Sequence, residues 1–333
     1  MKKKRSIIKP EILDWLLEEG NPSARYLTLR DILGKKSTDT DVMQAKKAIM
    51  KNGPGPRILA RQNKEGYWEK PESFYSFKYK GTVWQLIFLA ELGADAGDAR
   101  IKKACEFILK HSQDPQSGGF AHRSVKSGGG DPDLIIPCLT GNMTYCLLRF
   151  GYLDDPRVRR ALDFITTYQR FDDGEAKRPA GWPYERYQSC WGRHTCLMAV
   201  VKSLKALAQI PPRRRTQSVK QTMEKAVEYL LKHHIYKQSH NLHKIAKHAW
   251  TKFGFPLMWQ TDALEMLDVL TALNVRDPRM NDALELTCAK QTSNGCWLLE
   301  NGYNRVQTAL EPKGKPSKFV TLRALGVLRR YQP

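Results

Sequence analysis

The sequence predicts one all-α domain in which a ring of wholly apolar helices is wrapped by a ring of amphipathic ones. Three observations predict it. A seven-residue phrase, Q-x-x-x-G-x-W, is written near both ends of the chain. An amphipathic helical phrase precedes each copy, and a second set of helices is apolar on every face.

The two full copies are QNKEGYW (62–68) and QTSNGCW (291–297), with weaker ones at QDPQSGGF (113–120) and QRFDDG (169–174). The helices before them read DARIKKACEFILKHSQ (98–113), DPRVRRALDFITTYQ (155–169) and DPRMNDALELTCAKQ (277–291). In each, an Asp N-cap precedes basic or polar residues, followed by apolar positions at i, i+3/i+4 and i+7/i+8. Residues 221–234 and 42–61 are more degenerate versions.

The apolar set spans 23–33, 82–92, 138–150, 190–209, 259–273 and 317–331. A helix apolar all round must be enclosed, whereas an amphipathic one can face water. Alternation of the two kinds therefore gives an inner and an outer ring. The first and last inner segments share Pro-Ser followed by Thr-Leu-Arg (Pro22-Ser23, Thr28-Leu29-Arg30; Pro316-Ser317, Thr321-Leu322-Arg323), as expected of a ring that closes. In the connecting phrases Gln can bond a neighbouring backbone, Gly permits a tight turn and Trp fills the gap between helix pairs. Strand signals are nearly absent.

Composition narrows the function classes. Fifty-five Lys and Arg against thirty-four Asp and Glu give a net charge of +21, which implies an anionic partner. The basic residues are dispersed, apart from short clusters at Lys2–Arg5 and Arg213–Arg215, and no nucleic-acid-binding motif occurs. No apolar run is long enough for a membrane span, so membrane contact is limited to the basic surface. Seven scattered cysteines without a C-x-x-C pair suit reduced thiols and a cytoplasmic setting. No break in pattern divides 1–333 into two domains.

The Q-x-x-x-G-x-W phrase in this alternating frame resembles the QW motif of the terpenoid cyclase and protein prenyltransferase superfamily, and the resemblance covers roughly 20–331. It implies an (α/α)6 toroid with QW-type repeats, a squalene cyclase-like arrangement, and an isoprenoid-handling enzyme with a prenyl diphosphate-like substrate in an apolar central cavity. The QW residues themselves read as structural staples.

In such a toroid the N-terminal ends of the inner helices open onto the cavity, and helix N-termini favour anions and thiolates. The residues at those starts are Tyr79-Lys80-Gly81 and Trp84; Cys138 and Asn142; Cys190, Trp191 and His194; Trp259 and Asp262; Lys315, Ser317 and Lys318, with Lys80, Lys315, Lys318 and Arg193 placed to receive a diphosphate. The acid motif D-x-D-D-T-A of class II cyclases has no counterpart: Gly192–Cys196 lacks the acids, and Asp131-Pro132-Asp133-Leu134 has Leu where one is needed. The zinc-dependent prenyltransferases place a Cys at one inner-helix start and a His in the next cassette. Cys138 and His194 resemble that pair, although Ile136 stands where the family has its metal-binding Asp. Cys190, at i,i+4 from His194 on a helix, supplies a third ligand, making a Cys2His zinc set with one open position.

Asp262, His194 and Lys318 are the expected catalytic groups, and Trp84, Asn142, Trp191, Trp259, Lys315 and Lys318 the substrate-binding ones. Asp262, on an apolar helix, calls for Lys315 or Lys318 as its partner. The other cysteines read as packing, and the His-rich stretch 233–248 as a solvated basic loop. Two alternatives stand beside the isoprenoid one: a carbohydrate-active α/α-toroid lyase or hydrolase, and a non-catalytic binding toroid.

Overall fold

A computed structural model of the chain describes residues 8–174 and 177–331. The basic cluster Lys2–Arg5 lies outside the described residues. The structure is mostly helical, and none of its helices is long and apolar enough to cross a membrane.

Six segments form the inner layer: α2 (Pro22–Leu27, extended by a π turn, Thr28–Ile32), α5 (Thr82–Glu91), α7 (Pro137–Arg149), α10 (Leu197–Leu207), α12 (Ala263–Ala272) and α14 (Lys318–Tyr331). Every residue of α5 from Thr82 to Ala90 is buried, as its all-round apolar sequence demands. The amphipathic helices α3 (Thr40–Ile49), α6 (Ala99–His111), α8 (Pro156–Tyr168), α11 (Gln217–Lys232) and α13 (Asn281–Ala289) pack outside α2, α5, α7, α10 and α12 in turn. Along the inner layer α5 packs on α7, α7 on α10, α10 on α12 and α12 on α14, and α14 returns to α2 and its π turn. Short helices α1 (Pro10–Leu16), α4 (Pro54–Leu59) and α9 (Gln188–Trp191) lie between these elements.

The outer helices start as their sequences specify. The carboxylates of Asp98, Asp155 and Asp277 accept from the backbone N–H groups of Arg100, Arg157 and Arg279. Arg157 then reaches Glu106 of α6, and Arg279 reaches Glu228 of α11. Neighbouring outer helices are thus stitched by the same pair at two places.

The QW-type phrases do what their residue types allow. Gln62 donates to the Gly66 carbonyl (3.0 Å) and to Arg100 at the start of α6 (2.8 Å); Gln113 does the same to Gly118 (3.0 Å) and to Arg157 at the start of α8 (2.8 Å). Gln291 donates to Gly295 (3.0 Å). A Cβ at Gly66 or Gly118 would collide with the backbone of the next outer helix, and both have positive φ, so only glycine permits this approach. Trp68 and Trp297 are fully buried, with indole N–H groups on the Ile58 (2.8 Å) and Thr287 (2.7 Å) carbonyls. Their backbone N–H groups donate to Thr82 and Thr321, near the start of the next inner helix. The phrases at 62–68 and 113–120 are therefore staples joining an outer helix, the next inner helix and the next outer helix, and the one at 291–297 joins α13 to α14.

Three expectations are corrected. The inner segment expected at 190–209 breaks after Trp191 and restarts at Leu197. The cause is Arg170, buried below the bend, whose guanidinium donates to the Trp191, Gly192 and Arg193 carbonyls (3.3, 2.6 and 3.0 Å). Asp172 adds a bond from the Thr195 hydroxyl (2.6 Å). Carbonyls captured sideways cannot continue a helix. The segment expected from 259 begins at Ala263, with Asp262 as its N-cap. Within 233–248 a two-stranded antiparallel hairpin, β1 (Lys237–Gln238) and β2 (Asn241–Ile245), replaces the expected loop. His233 is buried there, its Nε2 3.1 Å from Asp173, which also accepts from Tyr229 and Ser239.

Candidate functional site

The connections leading into α5, α7, α9, α12 and α14 carry an aromatic cluster. It is built from α5 outward. Gly81 lets the loop before α5 touch the helix, since a Cβ there would meet the Phe74 carbonyl at 2.6 Å. The first turn of α5 then holds that loop: the Trp84 indole donates to the Tyr75 carbonyl (3.0 Å) and the Gln85 amide to the Tyr79 carbonyl (2.9 Å).

Tyr75 and Tyr79 thereby stand against Trp84, with ring centroids 5.0 and 5.3 Å away. The loop before α14 adds Tyr303, 4.2 Å from Tyr79, and the loop before α12 adds Trp259, whose indole N–H donates to the Tyr79 hydroxyl (3.2 Å). The loop before α7 adds His122, between Tyr75 (5.7 Å) and Tyr187 (5.0 Å), the latter preceding α9. The ammonium of Lys78 sits over three of these rings: Tyr75 (5.2 Å), Trp84 (5.8 Å) and Trp259 (5.2 Å). Ring faces are electron-rich and attract a cation. No carboxylate pairs with Lys78 among the described residues.

The polar groups of the cluster are held neutral. Burial pushes the Tyr75 phenol upward, reinforced by the Cys138 and Cys190 thiols beside it. Burial likewise raises Cys138 and Cys190, the latter to about 12, and lowers His122 with help from Arg123. The His122 Nε2 is enclosed without a hydrogen-bond partner, as is the Gln85 side-chain oxygen. What results is an aromatic, acid-poor surface with unfilled polar valences, suited to an apolar ligand that bears or develops positive charge.

Of the residues picked from sequence, Trp84 and Trp259 belong to this cluster, and Cys138 lies beside Tyr75. Asn142, one turn further along α7, holds the Trp259 loop by donating to the Met258 carbonyl (2.9 Å). Trp191 stands elsewhere, in a satellite core with Phe164 and Tyr184, its indole on the Ile135 carbonyl (3.0 Å). Lys315 is exposed. Lys318 is buried and turned away, its ammonium bonded to the Trp15 carbonyl and to Glu18 (2.6 Å), so it ties α14 to the chain's first helix.

Asp262 pairs with neither Lys315 nor Lys318. Its oxygens accept from the Glu265 (2.7 Å) and Gly254 (2.9 Å) backbone N–H groups, and burial lifts its pKa to about 7. That is the work of a helix cap.

The zinc set does not assemble. With the helix broken at Gly192, Cys190 and His194 share no helical face, and His194 is exposed in the bend, packed where a Gly174 side chain would stand. Among the described residues no three His, Cys, Asp or Glu side chains are placed to hold a metal ion. Asp131 and Asp133 lie at a surface turn, the second paired with Arg186 (3.0 Å).

Sequence reasoning missed Tyr75, Lys78, His122, Tyr187 and Tyr303. Each lies in a connection, and reading only helix starts passes over connections. The signal present was aromatic density just upstream of an inner helix, as in FYSFKYKGTVW (74–84).

No family model matches the chain, and no curated protein does. Among solved structures the chain is similar to a type II terpene cyclase from Scytonema in complex with its product merosterolic acid A, at 15% identity and TM-score 0.44, covering 97% of this chain and 99% of that one. It is also similar to an apo form of a type II terpene cyclase from Scytonema, at 14% identity and TM-score 0.41, with the same coverage. Likeness this distant carries neither fold nor function to the chain.

Proposed function

We propose that the chain is an (α/α)6 toroid of one domain that handles an isoprenoid, of the terpenoid cyclase and prenyltransferase type, and receives the ligand's apolar chain at the aromatic end of its inner helices. One observation carries this: three rings from different connections and helix starts surround a cation, the Lys78 ammonium, with no carboxylate beside it. Ionising a prenyl diphosphate or protonating an alkene generates a carbocation, and ring faces stabilise it without trapping it as a nucleophile or base would. Tyr75, Tyr79, Trp84, Trp259 and Tyr303 are the assigned lining. The exposed Lys315 and Arg193, with Lys80 next to the aromatic loop, are left for a diphosphate, whereas Lys318 is not. No step is assigned to zinc, because His194, exposed in the bend, is not placed with Cys138 and Cys190.

The test is binding. Farnesyl diphosphate and geranylgeranyl diphosphate are expected to raise the melting temperature by mass action and inorganic diphosphate to do so less. Trp259→Ala is expected to weaken the prenylated ligands about tenfold, the loss of roughly one good ring contact. If neither prenyl diphosphate binds at saturation while oligosaccharides do, a carbohydrate-active toroid replaces it, despite the scarcity of paired carboxylates such chemistry uses.

A further inference from the structure

We propose that the opposite end of the inner-helix layer holds a second binding site, for a small oxyanion (a phosphate or carboxylate group) gripped by Arg149. A cavity of about 320 Å³ lies there, lined by the C-terminal parts of α5, α7, α10 and α12 together with α14 and the π turn after α2. Its volume is at the lower end of pockets that take small molecules, about 300–1,000 Å³.

The charges lining it do not balance. Arg30, Arg149, Lys205, Arg323 and Arg330 face Asp31, Glu91 and Asp268. Four of the five cations are matched. Arg30 pairs with Asp31; Lys205 with Glu91 and with buried Glu265 (3.0 Å); Arg323 with Glu91 (3.2 Å) and Asp268 (3.5 Å); Arg330 with Asp268.

Arg149, in the last turn of α7, has no carboxylate partner among the described residues, and its Nε is enclosed with nothing to donate to. Basic residues near helix C-termini ordinarily complement the dipole. An enclosed guanidinium nitrogen without an acceptor is different, because a buried donor left unsatisfied costs about 1–3 kcal/mol. The planar guanidinium matches the paired oxygens of a carboxylate or phosphate better than any other side chain.

The surroundings agree. Lys46, whose ammonium donates to the Gly93 and Ala94 carbonyls (2.6 and 3.1 Å), is lowered to about 8 by burial and next by the charge of Arg149, which Asp95 offsets in part and Arg30 reinforces more weakly. Lys46 and Arg149 thus repel one another here, and an oxyanion beside Arg149 relieves that repulsion while supplying the missing acceptor. The site differs from the aromatic one in chemistry and in position, and does not depend on it.

The experiment is thermal unfolding of the full chain with inorganic phosphate, inorganic diphosphate or citrate, at ionic strength held constant with sodium chloride. At least one of the three is expected to raise the melting temperature in a saturable way. A response to the phosphates identifies a phosphate ligand, and a response to citrate alone a carboxylate. Arg149→Gln is expected to weaken that response at least tenfold while leaving the ligand-free melting temperature equal or higher, since it removes an unpaired charge. Arg149→Lys is expected to keep part of the response. The assignment is overturned if none of the anions acts, or if Arg149→Gln responds like wild type; a lowered ligand-free melting temperature with unchanged anion response would mark Arg149 as structural only.

Discussion

In the connections leading into the inner helices the chain gathers Tyr75, Trp84 and Trp259 under one ammonium group, with Tyr79 and Tyr303 packed beside them and no carboxylate paired with that ammonium among the described residues. Further along the same helices it gathers Glu91, Lys202, Lys205, Glu265 and Arg323, joined by the partly exposed Asp268 and Arg330, into an ionic network. The first is built from connections, where ring identity matters and helical register does not. The second is built from side chains spaced along α5, α10, α12 and α14, so it exists only when those helices stand in one arrangement. Buried charges gain little net stability over apolar residues, but breaking a pair is costly, and a network of this kind fixes which helices pack together. The difference separates a surface built from connections from a framework that holds the inner helices in register.

The largest expected effect is therefore at the charged end. Lys202 is fully enclosed and bonds both Glu265 oxygens (2.9 and 2.7 Å) and the Leu257 carbonyl (2.7 Å). Glu265→Leu leaves Lys202 and Lys205 short of a partner and is expected to cost about 3–5 kcal/mol in urea unfolding. Trp259→Ala, at the half-buried aromatic end, should cost less; if it costs more, the division between framework and surface is wrong.

Acid and base should act on the two carboxylates of α12 with opposite sign. Burial alone would raise Glu265, but Lys202, Lys205 and Arg323 hold it at about 2, against an ordinary 4.5. Its stabilisation is full above about pH 4.5 and is lost as pH falls toward 2. Asp262 is raised by burial from 3.8 to about 7, so its contribution is full below about pH 4 and is lost as pH rises to about 7. Asp262→Asn should flatten the stability profile between pH 4 and 7 and leave the acid limb in place. An unchanged slope in that window would show that Asp262 stays ionised throughout.

A smaller effect is expected where the ends of the chain meet. Lys318→Ala removes the charged bond to the Trp15 carbonyl and the pair with half-exposed Glu18, for a loss of about 1–2 kcal/mol. Prenyl diphosphate affinity should be unchanged; a large loss of affinity would return Lys318 to the ligand site. The smallest stability change, within about 1 kcal/mol, is expected for Lys78→Ala, because an exposed cation over rings contributes little. There the informative quantity is ligand affinity. Emptying the ring cluster should strengthen binding of a prenylated ligand, and a weakened one would make Lys78 part of the grip instead.

Much of the framework was legible along the chain, because its signals are local. Asp98, Asp155 and Asp277 cap helices with bonds to residues two positions on, and Gln62 and Gln113 bond glycines four and five positions on. The bounds of α5, α7 and α14 follow from their apolar runs to within a residue or so. The break at Gly192 was not legible, because Arg170, more than twenty positions upstream, makes it. The setting of Lys318 was not legible for the same reason: nothing local shows that a lysine at a helix start turns toward residues 15 and 18. The i,i+4 spacing behind the zinc set assumed a continuous helix at 190–194, which Arg170 and Asp172 interrupt.

The sequence by itself determined a helical chain of alternating apolar and amphipathic segments, stapled at Q-x-x-x-G-x-W phrases, because periodicity, capping and glycine turns act over a few residues. The tertiary structure alone decided which side chains meet. Lys78 enters three rings, Lys202 and Lys205 share Glu265, Asp262 becomes a cap, and Arg149 is left with its Nε unsatisfied. Each depends on how helices distant in sequence are rotated and stacked, and burial and charge compensation settle that only when the whole ring packs.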